Sequence, residues 1–454
     1  MKQKTLVLAG CAILTALLVR QTAFLARSHR PHGERKERFT GRDFAAQTDV
    51  EKHSSASAIN RGWDRERVWS GHDDWEPFVA ADRSSSYVYQ MVTRFNAVVS
   101  GIYIRSSAGG GETWMADQLI APTLEWQADP QVQVAADGTV FAVWLDGPDW
   151  ISKLVKSSDH GLTWSAPVVL APSLHWTDHP WLLVSPDGRD VYVGLNQDDS
   201  YVVTSHDGGE TFSAPFKTNQ PSPGHWWDAN GAAMGPDGRP YFVVIDFFLN
   251  YKGPAGVYLV SSQDNGATWQ QSLIDISPPP PGCSGAAGCD YGFLSTTASL
   301  AIDANGRLLV AYHAGDEPKE PQAMFVSTST DGINWSPREQ ISTPNEQASN
   351  GFPGAAAGPQ PGDFRVVWQS NADGNPRDWN TYYRRSTDGG VTWSPAVKLS
   401  DRSRGAPYKH PAGYAFPYGD YLSLSVDGRG RNHVIWGEGA SYDGPGGAWY
   451  TRGF

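Results

Sequence analysis

The octapeptide Ser157-Ser158-Asp159-His160-Gly161-Leu162-Thr163-Trp164 decides the fold. Its Asp and Gly specify a tight turn, because the Asp side chain accepts backbone N–H bonds and Gly takes a positive φ. The Trp that follows is a large apolar anchor that packs between neighbouring sheets. The pattern Ser-x-Asp-x-Gly-x-Thr-aromatic returns complete at 205–212, 262–269 and 386–393. Two further copies are degenerate. The one ending at Trp114 has Gly109 in the Asp place, and the one ending at Trp335 is a residue short, with Asp331 and Gly332. The aromatic positions 114, 164, 212, 269, 335 and 393 are separated by 50, 48, 57, 66 and 58 residues. A turn recurring at that interval marks a repeat architecture. The box is read as structural, not catalytic.

Working outward from the box, residues 128–170 show the whole unit. Segments 130–135, 140–145 and 152–156 read as strands, separated by Asp137-Gly138 and by a loop at 146–150. The box follows, and then 167–170. That is a four-stranded antiparallel meander, the size of one propeller blade. Six such units run from about residue 76 to 400, and a seventh without a box uses 421–426, 433–437 and 448–451. Its missing outer strand is expected at 67–70, which would close the ring with strands from both termini and remove exposed edges. The expected fold is therefore all-β, a seven-bladed β-propeller of four-stranded antiparallel blades, with six blades as the alternative. The domain spans 63–454.

Composition agrees. The chain has 48 Gly, 32 Pro and 19 Trp, which suits short strands joined by many turns. Charge is uneven. Residues 1–42 carry 9 Lys/Arg against 2 Asp/Glu, leaving 27 against 46, a charge of −19, for residues 43–454. So acidic a domain repels phosphate, which excludes a nucleic-acid partner. Lys2 and Lys4 precede an apolar run from 5 to 19, so residues 1–26 read as an export signal or N-terminal anchor, and 27–62 as a basic linker without its own fold. The protein is expected outside the cytoplasm, secreted or surface-held, touching a membrane only through that segment, and monomeric. Cys283 and Cys289 sit in a Pro/Gly-rich loop and would pair in an oxidising compartment. No transition-metal spacing such as HExxH is present.

Boxes of this kind are the signature of the sialidase (neuraminidase) superfamily, and the sequence resembles its secreted bacterial members over nearly all of 63–454. The last blade adds to the resemblance. Gly419-Asp420-Tyr421-Leu422-Ser423-Leu424-Ser425-Val426, followed by Val434-Ile435-Trp436-Gly437-Glu438, is similar to the closing segment of sialidases. The resemblance implies Tyr421 as nucleophile and Glu438 as the carboxylate behind a substrate-binding Arg, with Asp420 beside them. A Tyr attacks only when a neighbouring carboxylate takes its proton, a role for Asp178 or Asp228. The sequence also departs from that family. Trp75-Glu76-Pro77 stands where sialidases have Arg-Ile-Pro, and of the three expected arginines only Arg94 and Arg377 lie on suitable loops.

The loops leading into the inner strands share a composition: His72 to Glu76, Glu125 to Asp129, His175 to His179, and His225 to Asp228. Trp126, Trp176 and Trp226 recur at 50-residue steps and either pack between blades or stack on a sugar ring. Glu76, Asp129, Asp178 and Asp228 look equivalent in four successive blades. Converging carboxylates would supply the protonated and ionised pair that glycosidases need. The alternatives are caps on their own loops, or a shared Ca²⁺ as the one cofactor considered. His179 and His225 are candidate acid/base or binding groups, and Arg94 the cation for a substrate carboxylate. The expected function is a sialidase-like glycoside hydrolase acting on a glycan or glycoconjugate at the channel mouth. The alternative is a non-catalytic propeller that binds glycan or protein.

Overall fold

Each box closes the turn its sequence specifies. Ser157 Oγ donates to Asp159 Oδ1 (2.7 Å) and accepts the Gly161 N–H (2.8 Å). Asp159 in turn accepts the Thr163 N–H (2.9 Å) and hydroxyl (2.6 Å). The same set recurs around Asp207, Asp264 and Asp388. In the short copy, Asn334 Nδ2 replaces the Thr hydroxyl on Asp331. Bonding from the Thr hydroxyl and amide holds the carboxyls of Asp159 and Asp388 down to about 2.

The computed structural model describes residues 62–95, 97, 99–123, 125–220, 222–248, 253–279, 296–344, 348–373, 379–400, 422–438 and 447–454, and the backbone of 409–410 and 413–414. Tyr421, Asp420, Arg377, Cys283, Cys289 and the export segment lie outside these residues.

Seven four-stranded antiparallel sheets form a closed ring. Blade 1 runs Asp73–Ala81, Val88–Phe95, Gly101–Ser107 and Gln118–Leu119, from the channel outward. Blades 2 to 6 repeat that order, their inner strands being Gln127–Val134, Asp178–Val184, His225–Met234, Ala298–Ile302 and Asn350–Ala357. Blade 7 is built from both ends of the described chain. Ser423–Val426, Asn432–Gly437 and Ala448–Gly453 supply three strands, and Arg67–Val68 supplies the fourth by pairing with Tyr450 and Trp449. The expected closure at 67–70 is therefore present.

The box aromatics each join a core between two blades; Trp164, for example, packs on the Tyr89, Val140 and Trp144 cluster of blades 1 and 2. Blade 7 has no box, yet its interface with blade 6 is filled in the same way. Trp63 packs with Val367, Tyr383, Leu422 and Trp436 there. Trp63 precedes its outer strand Arg67–Val68 by four residues, as Trp164 precedes Val168–Val169. It is the seventh aromatic of the ring, supplied from the other end of the chain.

Inner strands have one edge facing the channel, where backbone N–H groups have no ladder partner. Side chains of the preceding blade supply acceptors. Glu76 accepts the Asp129 N–H, Gln131 the Leu182 N–H, Asn230 the Ala298 N–H, Ser299 the Ala355 N–H, and Ser425 the Ala81 N–H. Each of these bonds runs from one blade to the next in chain order, the last returning from blade 7 to blade 1.

Candidate active site

The site begins with a backbone irregularity. Glu76, Asp129, His179 and Phe352 have φ of 54, 53, 48 and 54°, in the left-handed region. Each precedes a proline (Pro77, Pro130, Pro180 and Pro353). Proline has no N–H for the ladder, so the strand bulges there. The register shifts accordingly between Trp75 and Phe78, Ala128 and Gln131, Asp178 and Trp181, and Gly351 and Gly354. Four non-glycine residues held this way cost about 1–3 kcal/mol each, a strain that clusters at functional sites.

The bulges correct one expectation. Glu76, Asp129 and His179 share one position, whereas Asp178 and Asp228 stand one place earlier, opposite Asn196 and Ile245. The carboxylates also do different work. Glu76 is buried and accepts both the Thr93 hydroxyl (3.0 Å) and the Asp129 N–H (2.8 Å). Asp129 is buried and accepts the His179 N–H (3.2 Å). Both carboxylates cap a backbone N–H of the next blade.

Asp228 is different. Its side chain keeps 21% exposure and lines the central channel with His179, Asn230, Trp181 and Phe78. The channel encloses ≈ 570 Å³. Asn196 and Asn230 each donate to Asp228 at 2.9 Å, and His179 Nδ1 lies 3.5 Å from Asp228 Oδ2. Burial pushes the Asp228 carboxyl above its ordinary range, against the pull of His179, and Asp178 adds to the push. Asn196 also accepts the Asp178 N–H (2.8 Å), so one amide fixes both carboxylate residues. The His179 ring stands edge-on to Trp181 at 5.2 Å, and Trp181 meets Phe78 at 6.1 Å. The pair thus sits on an aromatic floor, able to share and pass a proton.

Around this centre the expected binding residues separate. Trp126 is 41% exposed and continues an aromatic run through Phe95 (5.2 Å) to Trp75 (5.4 Å). Trp176 is half-buried with φ 60°, while Trp226 is buried, a packing residue. His225 is half-buried against Asp246. Glu438 is buried and accepts the Trp436 indole N–H (3.1 Å). Arg94 does not face a substrate. It is buried, bonded to Asp74 through Nε (2.6 Å) and Nη2 (3.1 Å) and to Asp117 (2.6 Å), and stacked over Tyr103. Both carboxylates are far from it in sequence, so its neutralisation was not legible there. Sequence reasoning also missed Trp181, Phe78 and Asn230. The recurring x-Pro dipeptide at the start of inner strands was the signal that would have located the bulges. Among the described residues no three His, Cys, Asp or Glu side chains converge to hold a metal ion.

No protein-family model matches this chain, and no curated protein does. Solved structures share its fold. An ulvan lyase, described as a new family of polysaccharide lyase, PL25, aligns with TM-score 0.53 at 13% identity, covering 85% of this chain and 94% of its own. The same lyase bound to -[GlcA(1-4)Rha3S]- gives 0.54 at 13%, covering 85% and 95%. The Hadza microbial sialidase Hz136 gives 0.45 at 16% over 85% of this chain, which spans 66% of that protein. At these identities the likeness to the lyase speaks for the fold alone, which the sheet topology shows to be a seven-bladed β-propeller.

Proposed function

We propose that this protein is an exported glycoside hydrolase, and that His179 and Asp228 are its proton-transfer pair. One observation carries the reading: a mostly buried carboxyl, raised by burial and fixed by Asn196 and Asn230, lies beside an imidazole at the channel mouth. Such a pair can hold a proton and deliver it to a glycosidic oxygen. Asp178, half-buried beside it, is the carboxylate that activates water or steadies developing positive charge. Trp181 below and Trp126 at the rim offer flat apolar faces to sugar rings. With Arg94 neutralised and Asp178 and Asp228 at the mouth, the site favours an uncharged glycan over a sialylated or uronate-rich one. The structural neighbours that act on carbohydrate lend support at the level of fold.

The test is a panel of neutral, sialylated and uronate-containing glycans scored for new reducing ends. D228N and H179A should each lose about 10²-fold or more in kcat with the melting temperature retained. Full turnover in both variants would remove the pair from the mechanism.

A second reading is a non-catalytic glycan-binding propeller. It is favoured by Glu76 and Asp129, whose carboxylates serve to join blades. Glycan capture with no product, abolished by W126A, would select it.

A further inference from the structure

A second imidazole–carboxylate pair stands beside the first. His225 opens the strand His225–Met234, and its Nδ1 lies 2.5 Å from Asp246 Oδ1 on the neighbouring strand Pro240–Phe248. Its ring rests on Phe248, centroid to centroid 4.0 Å. In the ladder His225 is opposite Phe248 and Trp227 is opposite Asp246, so all four share one face of blade 4. That face looks toward blade 3, because the Trp227 side chain packs there with Leu183, Tyr192 and Val202, and its backbone N–H donates to Asp198 O. The crest between blades 3 and 4 therefore carries His225, while His179 and Asp228 bridge the same two blades lower down. His225 and Asp228 are three residues apart on one strand, so their backbones lie roughly 10 Å apart. That is the scale of one to two pyranose rings.

Packing alone does not account for this histidine. Asp246 fixes Nδ1 as the donor and Phe248 fixes the ring plane. The His225 side chain keeps 21% exposure, and Nε2 has no hydrogen-bond partner among the described residues. The Asp246 carboxyl is itself pushed up by burial and drawn back by His225, so the pair is retained in a place that disfavours the charge behind it. A fixed, partly exposed ring with one nitrogen open to a partner, beside an aromatic face, suits a hydroxyl-rich ligand.

We infer that His225, oriented by Asp246 and Phe248, is a second sugar-binding position. It receives the glycan residue next to the one at His179 and Asp228, and the substrate is an oligosaccharide, not a single sugar on a small leaving group. The inference rests on the glycoside-hydrolase reading above. Asp246 acts through His225 and is a positioning residue.

The experiment compares 4-nitrophenyl glycosides of neutral hexoses with the matching di-, tri- and tetrasaccharides, in the wild type, H225A, H225Q and D246N. The expected result is that wild-type kcat/KM rises with chain length. In H225A the ratio of tetrasaccharide to nitrophenyl-glycoside kcat/KM falls about tenfold or more, mostly through KM. H225Q, whose amide nitrogen reaches toward the place of Nε2, recovers part of the ratio, and D246N loses part of it. Calorimetric affinity for the uncleaved tetrasaccharide, measured on a D228N background, falls by a similar factor when H225A is added. An unchanged ratio in H225A with wild-type turnover intact overturns this inference alone. A wild type that cleaves none of the panel overturns the hydrolase reading, and this inference with it.

Discussion

His313 shows what a single buried group contributes. It is fully buried, its Nε2 accepts the Thr297 N–H at 2.8 Å, and burial pushes its pKa down to about 4. The unfolded chain binds the proton near pH 6.5, so between 6.5 and 4 the unfolded state holds more protons than the native one. Native stability is therefore complete above pH 6.5 and falls as pH drops toward 4, by up to ~3 kcal/mol from this residue. Urea unfolding at pH 7 and pH 4.5 checks this: H313Q should show a flatter difference between the two. Glu76 makes a separate prediction at the same scale. E76A leaves the buried Asp129 N–H without an acceptor and should cost ~1–3 kcal/mol, whereas E76Q keeps a carbonyl oxygen in place and should fold nearly as the wild type. Loss of turnover in E76Q at unchanged stability would show that Glu76 does more than join blades.

At the scale of the element, the box and the bulge differ in how openly they are written. The box is local chemistry. Ser, Asp, Gly and Thr meet one another within eight residues, so four complete copies could be read directly, and the degenerate copies still close their turns. Ser157 is the buried hub, and S157A should strand the Gly161 N–H and lower stability by ~1–2 kcal/mol, visible as a lower urea midpoint at unchanged slope. The bulge is less local. Its proline is visible, but which side chain it turns toward the channel depends on pairing with the second strand. Grouping the carboxylates by the loops they share with Trp therefore placed Asp178 and Asp228 level with Glu76 and Asp129, and the ladder separates them by one residue. Half of the candidate site was legible for this reason. His179 and Asp228 stand in loops of telling composition, while the neutralisation of Arg94 by Asp74 and Asp117 and the burial of Trp226 arise from contacts between distant segments.

For the whole molecule, the ring closes twice over. Arg67–Val68 completes blade 7, the Arg452 guanidinium meets Asp64 (2.5 Å), and Trp63 fills the interface of blades 6 and 7 against Tyr383 (4.9 Å). The closing strand could be foreseen from topology, because a blade with three strands in series needs a fourth to match its neighbours. Trp63 could not, since nothing around it resembles a box. W63A should cost about 3–5 kcal/mol, the range for deleting a buried Trp, and should lower the melting temperature more than the same change at half-buried Trp164. An equal or smaller effect at Trp63 would mean that the ring is not held at this seam.

The five side-chain acceptors described along the inner edges all point the same way around the ring, each serving the blade that follows. Such a circuit has a polarity, and polarity constrains how the architecture can grow. A tandem copy of blade 2 would bring both halves of the linkage at its bulge, the Asp129 carboxylate as acceptor and the Asp129 N–H as recipient, so the new junction would resemble an existing one. A copy of a blade lacking the acceptor would open a gap in the circuit at its downstream side. Gene duplication in this lineage, or a designer enlarging the ring, therefore has blade 2 as the natural module to copy.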